Sequence, residues 1–283
     1  MSHFSVMLFI DVAKGQRMTD ELLSAKINTA LAPYDENMEV PEYIDEVVTL
    51  DRVAEIREQF PEDYEGMDDL AVMNEYHGRD NCRVDDTGNI VVLTTYNPDS
   101  KWDWWQIGGR FGGLLSKSGV EVSQGWIKDL DMETARKQAR QSAEQEYDAF
   151  EEAVKGLEVP DDWDTVRERW GKDNIDQARA EYQNTEFNLA VGEKLKRYFW
   201  LSNPHEVFFV NKGGREAYVA DAVGRVGCSY AVITTEGEYK ARGDMGWFGM
   251  SSNESDTWRE DYWTYFNSLD PESTYWVLLD MHI

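Results

Sequence analysis

Cysteine is nearly missing from this chain: two residues in 283, Cys82 and Cys228. A disulfide scaffold is thereby excluded, and the pair reads as two reduced thiols in a cytosolic setting. Basic residues are scarce as well. Lys and Arg number 28 against 55 Asp and Glu, a formal net charge of −27. Such a field repels phosphate backbones and anionic lipid, so neither direct nucleic-acid binding nor membrane docking is expected. It suits solubility, or a basic protein surface as partner. Long apolar runs are lacking too. The opening MSHFSVMLFIDVAKGQ has no basic n-region and too short an apolar stretch to span a bilayer, and no later segment reaches spanning length.

Signatures of catalysis and metal binding are equally thin. The four histidines, His3, His77, His205 and His282, form no HExxH or HxH, and no CxxC occurs. No zinc site or other metal is therefore expected. DDTGN, at Asp85–Asn89, is too short for an EF-hand loop and reads as a turn. No GxSxG elbow is present, and Cys228, opening a strand, reads as a buried inert thiol. Asp280 lies two residues from His282, but the terminal strands are not expected to bring His3 and His282 together as an acid/base pair. No cofactor is implied, and an enzyme is the weakest reading.

What is present is apolar and aromatic. Hydrophobic residues make up 41% and aromatics 13% of the chain, ample for a packed core. SVMLFIDV near the start and TYWVLLDMHI at the end read as buried strands that pair in one sheet. Val53, Ile56 and Phe60 have helical spacing within an acidic region, and Ile90–Tyr96 is a β-branched strand. Ala135, Ala139, Ala143, Tyr147, Phe150 and Val154 mark one long helix. Trp163, Val166 and Trp170 mark a second, and a third runs from Ile175 towards Tyr198. EVFFVNKGGREAYVADA reads as a hairpin turning at Gly213 and Gly214, CSYAVITT as a strand, and Thr257–Leu269 as an aromatic helix. The expected fold is α+β. One mixed or antiparallel sheet is built from N- and C-terminal strands (residues 1–127 and 201–283), with a helical insertion at 128–200.

The most unusual stretch is NPDSKWDWWQIGGRFGG, residues 97–113, which begins where a strand runs out. Alternation on an extended segment puts Trp102 and Trp104 on one face, a stacking platform for a planar ligand. Gly108 and Gly109 permit close backbone approach, and Arg110 supplies a forked donor for phosphate or carboxylate. Lys101 and Asp103 flank the same face. GGRFGG lacks the Lys and Ser/Thr of a P-loop, so this is no standard phosphate loop. A second glycine–aromatic stretch, RGDMGWFGM (Arg242–Met250), offers Trp247 and is placed to line the same cavity. The competing reading is structural: large rings plugging a tight turn, with Arg110 paired to an acid.

Together MSHF, LAPYDEN (Leu31–Asn37), YNPDSKWDWWQIGGR (Tyr96–Arg110), MGWFGM and the final DMHI resemble a family of uncharacterised proteins of tailed bacteriophages. The resemblance implies a setting: a non-structural phage product in the bacterial host cytoplasm, of the accessory kind that opposes host defence. Three functions then stand side by side. The first is sequestration of a nucleotide-like small molecule, and the second an acidic inhibitor covering a basic surface of a host nucleic-acid or defence enzyme. The third is a nucleotide hydrolase or transferase. Eleven tryptophans also leave room for a self-association surface in a homo-oligomer.

Overall fold

The computed structural model describes residues 2–197, 203–246 and 249–283. The chain opens with β1 (His3–Asp11), in which seven consecutive residues from Phe4 to Ile10 are buried. Helix α1 (Asp20–Leu31) starts at Thr19, whose hydroxyl accepts from the Leu22 N–H. There follow β2 (Tyr43–Val48), α2 (Leu50–Gln59), α3 (Asp69–His77), β3 (Cys82–Val84), β4 (Ile90–Thr94) and β5 (Trp104–Ile107). Three short strands, β6 (Leu115–Lys117), β7 (Val120–Val122) and β8 (Gln124–Trp126), lead into the long helix α4 (Met132–Ala153). Next come α5 (Trp163–Trp170), α6 (Ile175–Gln183), α7 (Glu186–Leu195), α8 (Pro204–Val207) and α9 (Gly214–Arg225). The chain closes with β9 (Ala231–Ile233), β10 (Tyr239–Ala241), β11 (Asp244–Met245), β12 (Ser251–Ser252), α10 (Trp258–Ser268) and β13 (Thr274–His282).

The fold is α+β. Its main sheet has the order β10-β9-β1-β13-β5, with β8 also paired to β13. Strands β1 and β9 run parallel, with Val6 opposite Ala231, and β10 returns antiparallel to β9. At one end of the β1–β13 pair the Val12 N–H donates to the Ser273 carbonyl at 2.9 Å, and at the other His3 meets Asp280. The terminal strands are therefore antiparallel neighbours in a mixed sheet. Helix α10 lays Trp258 and Tyr262 against Met7, Phe9, Trp276 and Leu278.

Contacts divide the chain into two compact units: Met1–Met18 with Gln106–Asp280, and Thr19–Trp105 with Met281–Ile283. In the second unit β2, β4 and β3 form a three-stranded sheet, and Val53, Ile56, Val72 and Met73 of α2 and α3 pack on Val48 and Val92. In the first unit the described residues of 128–200 include four α-helices, α4 to α7, and α8 and α9 follow between Pro204 and Arg225. The apolar stripe of α4 (Ala143, Tyr147, Phe150) packs with Phe187, Phe208 and Tyr218, the Phe150 and Phe208 rings stacked 4.2 Å apart.

The hairpin expected over EVFFVNKGGREAYVADA is absent. Asn203 and Glu206 form a capping box that starts α8, and Gly213, at φ +101°, is the N-cap of α9. The two glycines supply positive φ for a helix entry instead of a hairpin turn. Tyr218, Val219 and Ala222 follow a helical period that meets α4, and that packing decides the outcome. The strand expected over Cys228–Thr235 shortens to Ala231–Ile233. The run from Ile175 splits into α6 and α7 because Thr185 caps a new helix, and its expected end at Tyr198 lies outside the described residues.

Candidate functional site

The tryptophan segment is divided between the two units. Lys101, Trp102, Asp103 and Trp104 belong to one, Gly108, Gly109 and Arg110 to the other, and Trp247 lies outside the described residues. The paired-indole platform is overturned. Trp102 is 1% exposed and packs on Tyr34 at 5.7 Å, whereas Trp104 is 48% exposed. Alternation fails because β5 starts only at Trp104; Trp102 sits in an isolated bridge to Asp35. Around it the Lys101 N–H donates to the Tyr34 carbonyl (2.8 Å) and the Glu36 N–H to the Trp102 carbonyl (2.9 Å). Asn97 donates to the Pro33 and Asp35 carbonyls. Asp103 lies 2.5 Å from His282 Nδ1. This part of the segment is a plug.

In the other unit the glycines do allow close approach, but to a carboxylate of the protein itself. Asp280 is completely buried, and the Arg110 N–H (3.0 Å) and Gln106 Nε2 (3.1 Å) both donate to its Oδ2. His3 Nδ1 lies 2.7 Å from Oδ1. A Cβ on Gly109 would stand 2.2 Å from Asp280 Oδ2, at a φ of +50° that disfavours any side chain. Burial raises the Asp280 carboxyl, but the Arg110, His3 and Gln106 hydrogen bonds outweigh it and hold the group below the usual carboxylate range. An ionised carboxylate only accepts, so His3 Nδ1 carries the proton. The idea that strand geometry keeps His3 from the end of β13 is thus corrected: antiparallel neighbours set the first residues of one against the last of the other. The partner is Asp280, while His282 has Asp103. The Arg110 guanidinium is exposed and makes no ion pair among the described residues.

Beyond this turn lies a cleft of about 700 Å³ in the same unit. Phe111 and Leu114, which follow the IGGR turn, line it, and so does Arg242, which opens the second glycine–aromatic stretch. The two stretches therefore each contribute a described residue, Phe111 and Arg242, to one cavity. Two more arginines join them, Arg225 from the last position of α9 and Arg259 from the first turn of α10. Asp221 accepts from both Arg259 (2.7 Å) and Arg225, and Arg242 Nη2 donates to both carboxylate oxygens of Glu254 at 2.5 and 2.6 Å. Arg259 lies across Gly224: a Cβ there would be 2.8 Å from its Nη1. Each guanidinium is thus fixed from one side, with 43–63% of its side chain exposed.

The wall behind the arginines is apolar and rigidly tied. The Trp258 indole donates to the Ser229 carbonyl (3.0 Å), Tyr262 to the Gly227 carbonyl (2.5 Å), and the Tyr230 N–H to Ser5 Oγ (3.0 Å). These bonds hold Cys228, Ser229 and Tyr230 at the cleft ahead of β9. Burial pushes the Cys228 thiol up to about 11, with Arg259 and Arg242 drawing it back only in part. It is a neutral wall group and not a nucleophile. Burial also raises the Tyr230 phenol. With Asp256 and Glu260 at the rim, three guanidiniums meet four carboxylates, against 28 bases to 55 acids overall. Arginine forks beside Phe111, Tyr230 and Trp258 can take a phosphate and a flat ring together.

Sequence reasoning flagged Arg242 within its stretch and Asp280 only beside His282, and it missed Arg225 and Arg259. For Asp280 a signal existed: one charge inside the apolar run WVLLDMHI must have partners. Among the described residues no group of three His, Cys, Asp or Glu is placed to hold a metal, and no helix is long and apolar enough to cross a membrane. Compared with models of known protein families, with curated proteins and with solved structures, the chain finds no match.

Proposed function

We propose that the chain binds a nucleotide-like anion in the arginine cleft, holding it without turning it over. The observation that carries this reading is the convergence of Arg225, Arg242 and Arg259, from three separate segments, on one aromatic-walled cleft of a molecule with net charge −27. The arginines would fork onto phosphate while Tyr230, Trp258 and Phe111 cover the base. In the bacteriophage setting implied by the sequence blocks, such a protein would act in the host cytoplasm by withdrawing a nucleotide signal from a defence pathway.

Calorimetry with ATP, ADP, NAD and inorganic phosphate tests this. A charge-assisted hydrogen bond contributes about 1.5–3 kcal/mol, so Arg242→Ala and Arg259→Ala should each weaken nucleotide binding roughly 10- to 150-fold. Nucleotide recovered unchanged in mass marks a binder, and a changed mass marks an enzyme. Silence across the panel at millimolar concentration sinks the proposal.

A second reading, inhibition of a basic host protein, draws on the other unit. It carries 22 acidic and 6 basic residues, with Ile44 and Val47 of β2 half exposed among them. Charge reversal at Asp45 and Glu46 would then abolish capture of a host protein that Arg242→Ala leaves intact.

A further inference from the structure

A second cleft, of about 730 Å³, lies among the helices of the first unit and has the opposite chemistry. It is lined by the start of α5 (Asp162, Trp163, Asp164), by His205, Glu206 and Val207 of α8, by the Phe209–Lys212 turn, and by Asp221 and Arg225 of α9. Asp221 and Arg225 pair with each other, which leaves three carboxylates facing Lys212.

His205 is the unusual member. It is 3% exposed, and its Nδ1 has no hydrogen-bond partner among the described residues. Buried side-chain nitrogens almost always have one, so His205 Nδ1 is an unused polar atom beside the cleft. Burial lowers the basicity of the ring, although Glu206 and Asp162 pull the other way, so the imidazole is neutral and its Nδ1 can accept. Among the described residues Glu206 accepts through Oε2, from the Tyr182 hydroxyl (2.9 Å) and the Asn203 N–H (3.2 Å), and not through Oε1. Asp164 enters no hydrogen bond or ion pair among the described residues. Trp163, Val207 and Phe209 line the same cleft with apolar surface.

We propose that this cleft binds an alkyl ammonium ligand of the polyamine class, its head group donating to His205 Nδ1, Glu206 and Asp164. An ammonium has three N–H donors and no acceptor, which suits the acceptors of His205, Glu206 and Asp164; Asn211, Lys212 and Arg225 also line the cleft. Its methylenes lie along Val207 and Phe209, and Trp163 offers a ring face to the charge. The cleft shares Arg225 with the arginine cleft, but the proposed ligand contacts, His205, Glu206 and Asp164, lie outside that cleft, so the proposal is tested independently of the nucleotide reading.

The test titrates spermidine and putrescine into the full chain by calorimetry, and follows the histidine ring resonances by NMR. A chain of net charge −27 attracts polyamines diffusely, so the variants decide. Glu206→Gln keeps the capping box and removes the charge; Asp164→Asn alters an exposed residue. Each should weaken binding at least tenfold, and spermidine should shift the His205 ring signal, identified by its loss in His205→Asn. Thermal unfolding checks that every variant is folded. ADP affinity should be the same in Glu206→Gln as in the parent. Equal spermidine affinity in Glu206→Gln and Asp164→Asn would assign the binding to the acidic surface and overturn the site. So would an unmoved His205 signal, no binding at all, or displacement of spermidine by stoichiometric Mg²⁺.

Discussion

Replacing Gly224 by alanine separates the arginine cleft's proposed binding role from its structural one. Gly224 lies in the last turn of α9, and an added Cβ would meet Arg259 at Nη1 (2.8 Å), Cδ (3.1 Å) and Cζ (3.3 Å). All three belong to one flexible side chain, so the helix stays and the guanidinium moves, leaving Asp221. The partners of that ion pair are 43% and 21% exposed, and solvent screening holds its loss to about 0–1 kcal/mol. Alanine in place of glycine returns up to about 1 kcal/mol of helix propensity. The two nearly cancel, and unfolding in urea should shift by less than about 1 kcal/mol. Binding has no such compensation. With Arg259 displaced, ADP affinity measured by calorimetry should fall roughly 10- to 150-fold, the equivalent of one charge-assisted hydrogen bond. Gly224→Ala combined with Arg259→Ala should be no weaker than Arg259→Ala alone, because both remove the same contact. Wild-type affinity in Gly224→Ala, or additive losses in the double variant, would refute the assignment of Arg259 to the ligand.

Three further outcomes bear on the IGGR turn and the cleft wall. Asp280→Asn should cost about 1–3 kcal/mol at pH 7 by urea unfolding, since it loses charge-assisted bonds to a buried group. The folded carboxyl lies below its unfolded value, so its stabilisation is present above about pH 4 and is lost as pH falls through the folded pKa. The gap between parent and variant should therefore narrow in acid, and a widening gap would be contrary. Gly109→Ala should destabilise by more than about 1 kcal/mol, from its positive φ and the collision with Asp280, with unfolding in urea as the check. Cys228, held near 11, should react with iodoacetamide at pH 7.5 roughly 300-fold more slowly than a free thiol, measured by mass spectrometry.

Much of the sheet could be read from local pattern, because β1 and β13 are long, almost wholly apolar runs that suit a buried strand. The long helix was equally open, its stripe from Ala143 to Phe150 packing as the spacing requires. Reading failed where one local signal serves two structures. Gly213 and Gly214 permit positive φ whether a hairpin turns or a helix begins, and only the packing of Tyr218 on Tyr147 and Phe208 chooses. It failed at Trp102 because alternation holds within a strand and that residue precedes one. The arginine cleft had no local pattern at all. A helix end, a post-strand loop and a helix start are joined by the β1–β9 pairing and the docking of α10, which are products of the whole fold.

Net charge is therefore a poor guide to what this molecule holds at short range. The second unit carries 22 acids and 6 bases, the first 33 and 22, so the surplus is steepest where the arginine cleft is not. Screening confines exposed charges to about 10 Å at 0.1 M salt, while a bound phosphate would sit within hydrogen-bond reach of the guanidiniums. At that distance the forks and their tethers, Asp221 and Glu254, govern the interaction. The tethers spend part of each positive charge but fix its direction, and a pre-set guanidinium loses less freedom on meeting a ligand than a loose one. If the proposed site binds, an acidic chain would in this way keep a selective anion site while its outer field turns away nucleic acid, whose many phosphates must cross that field together.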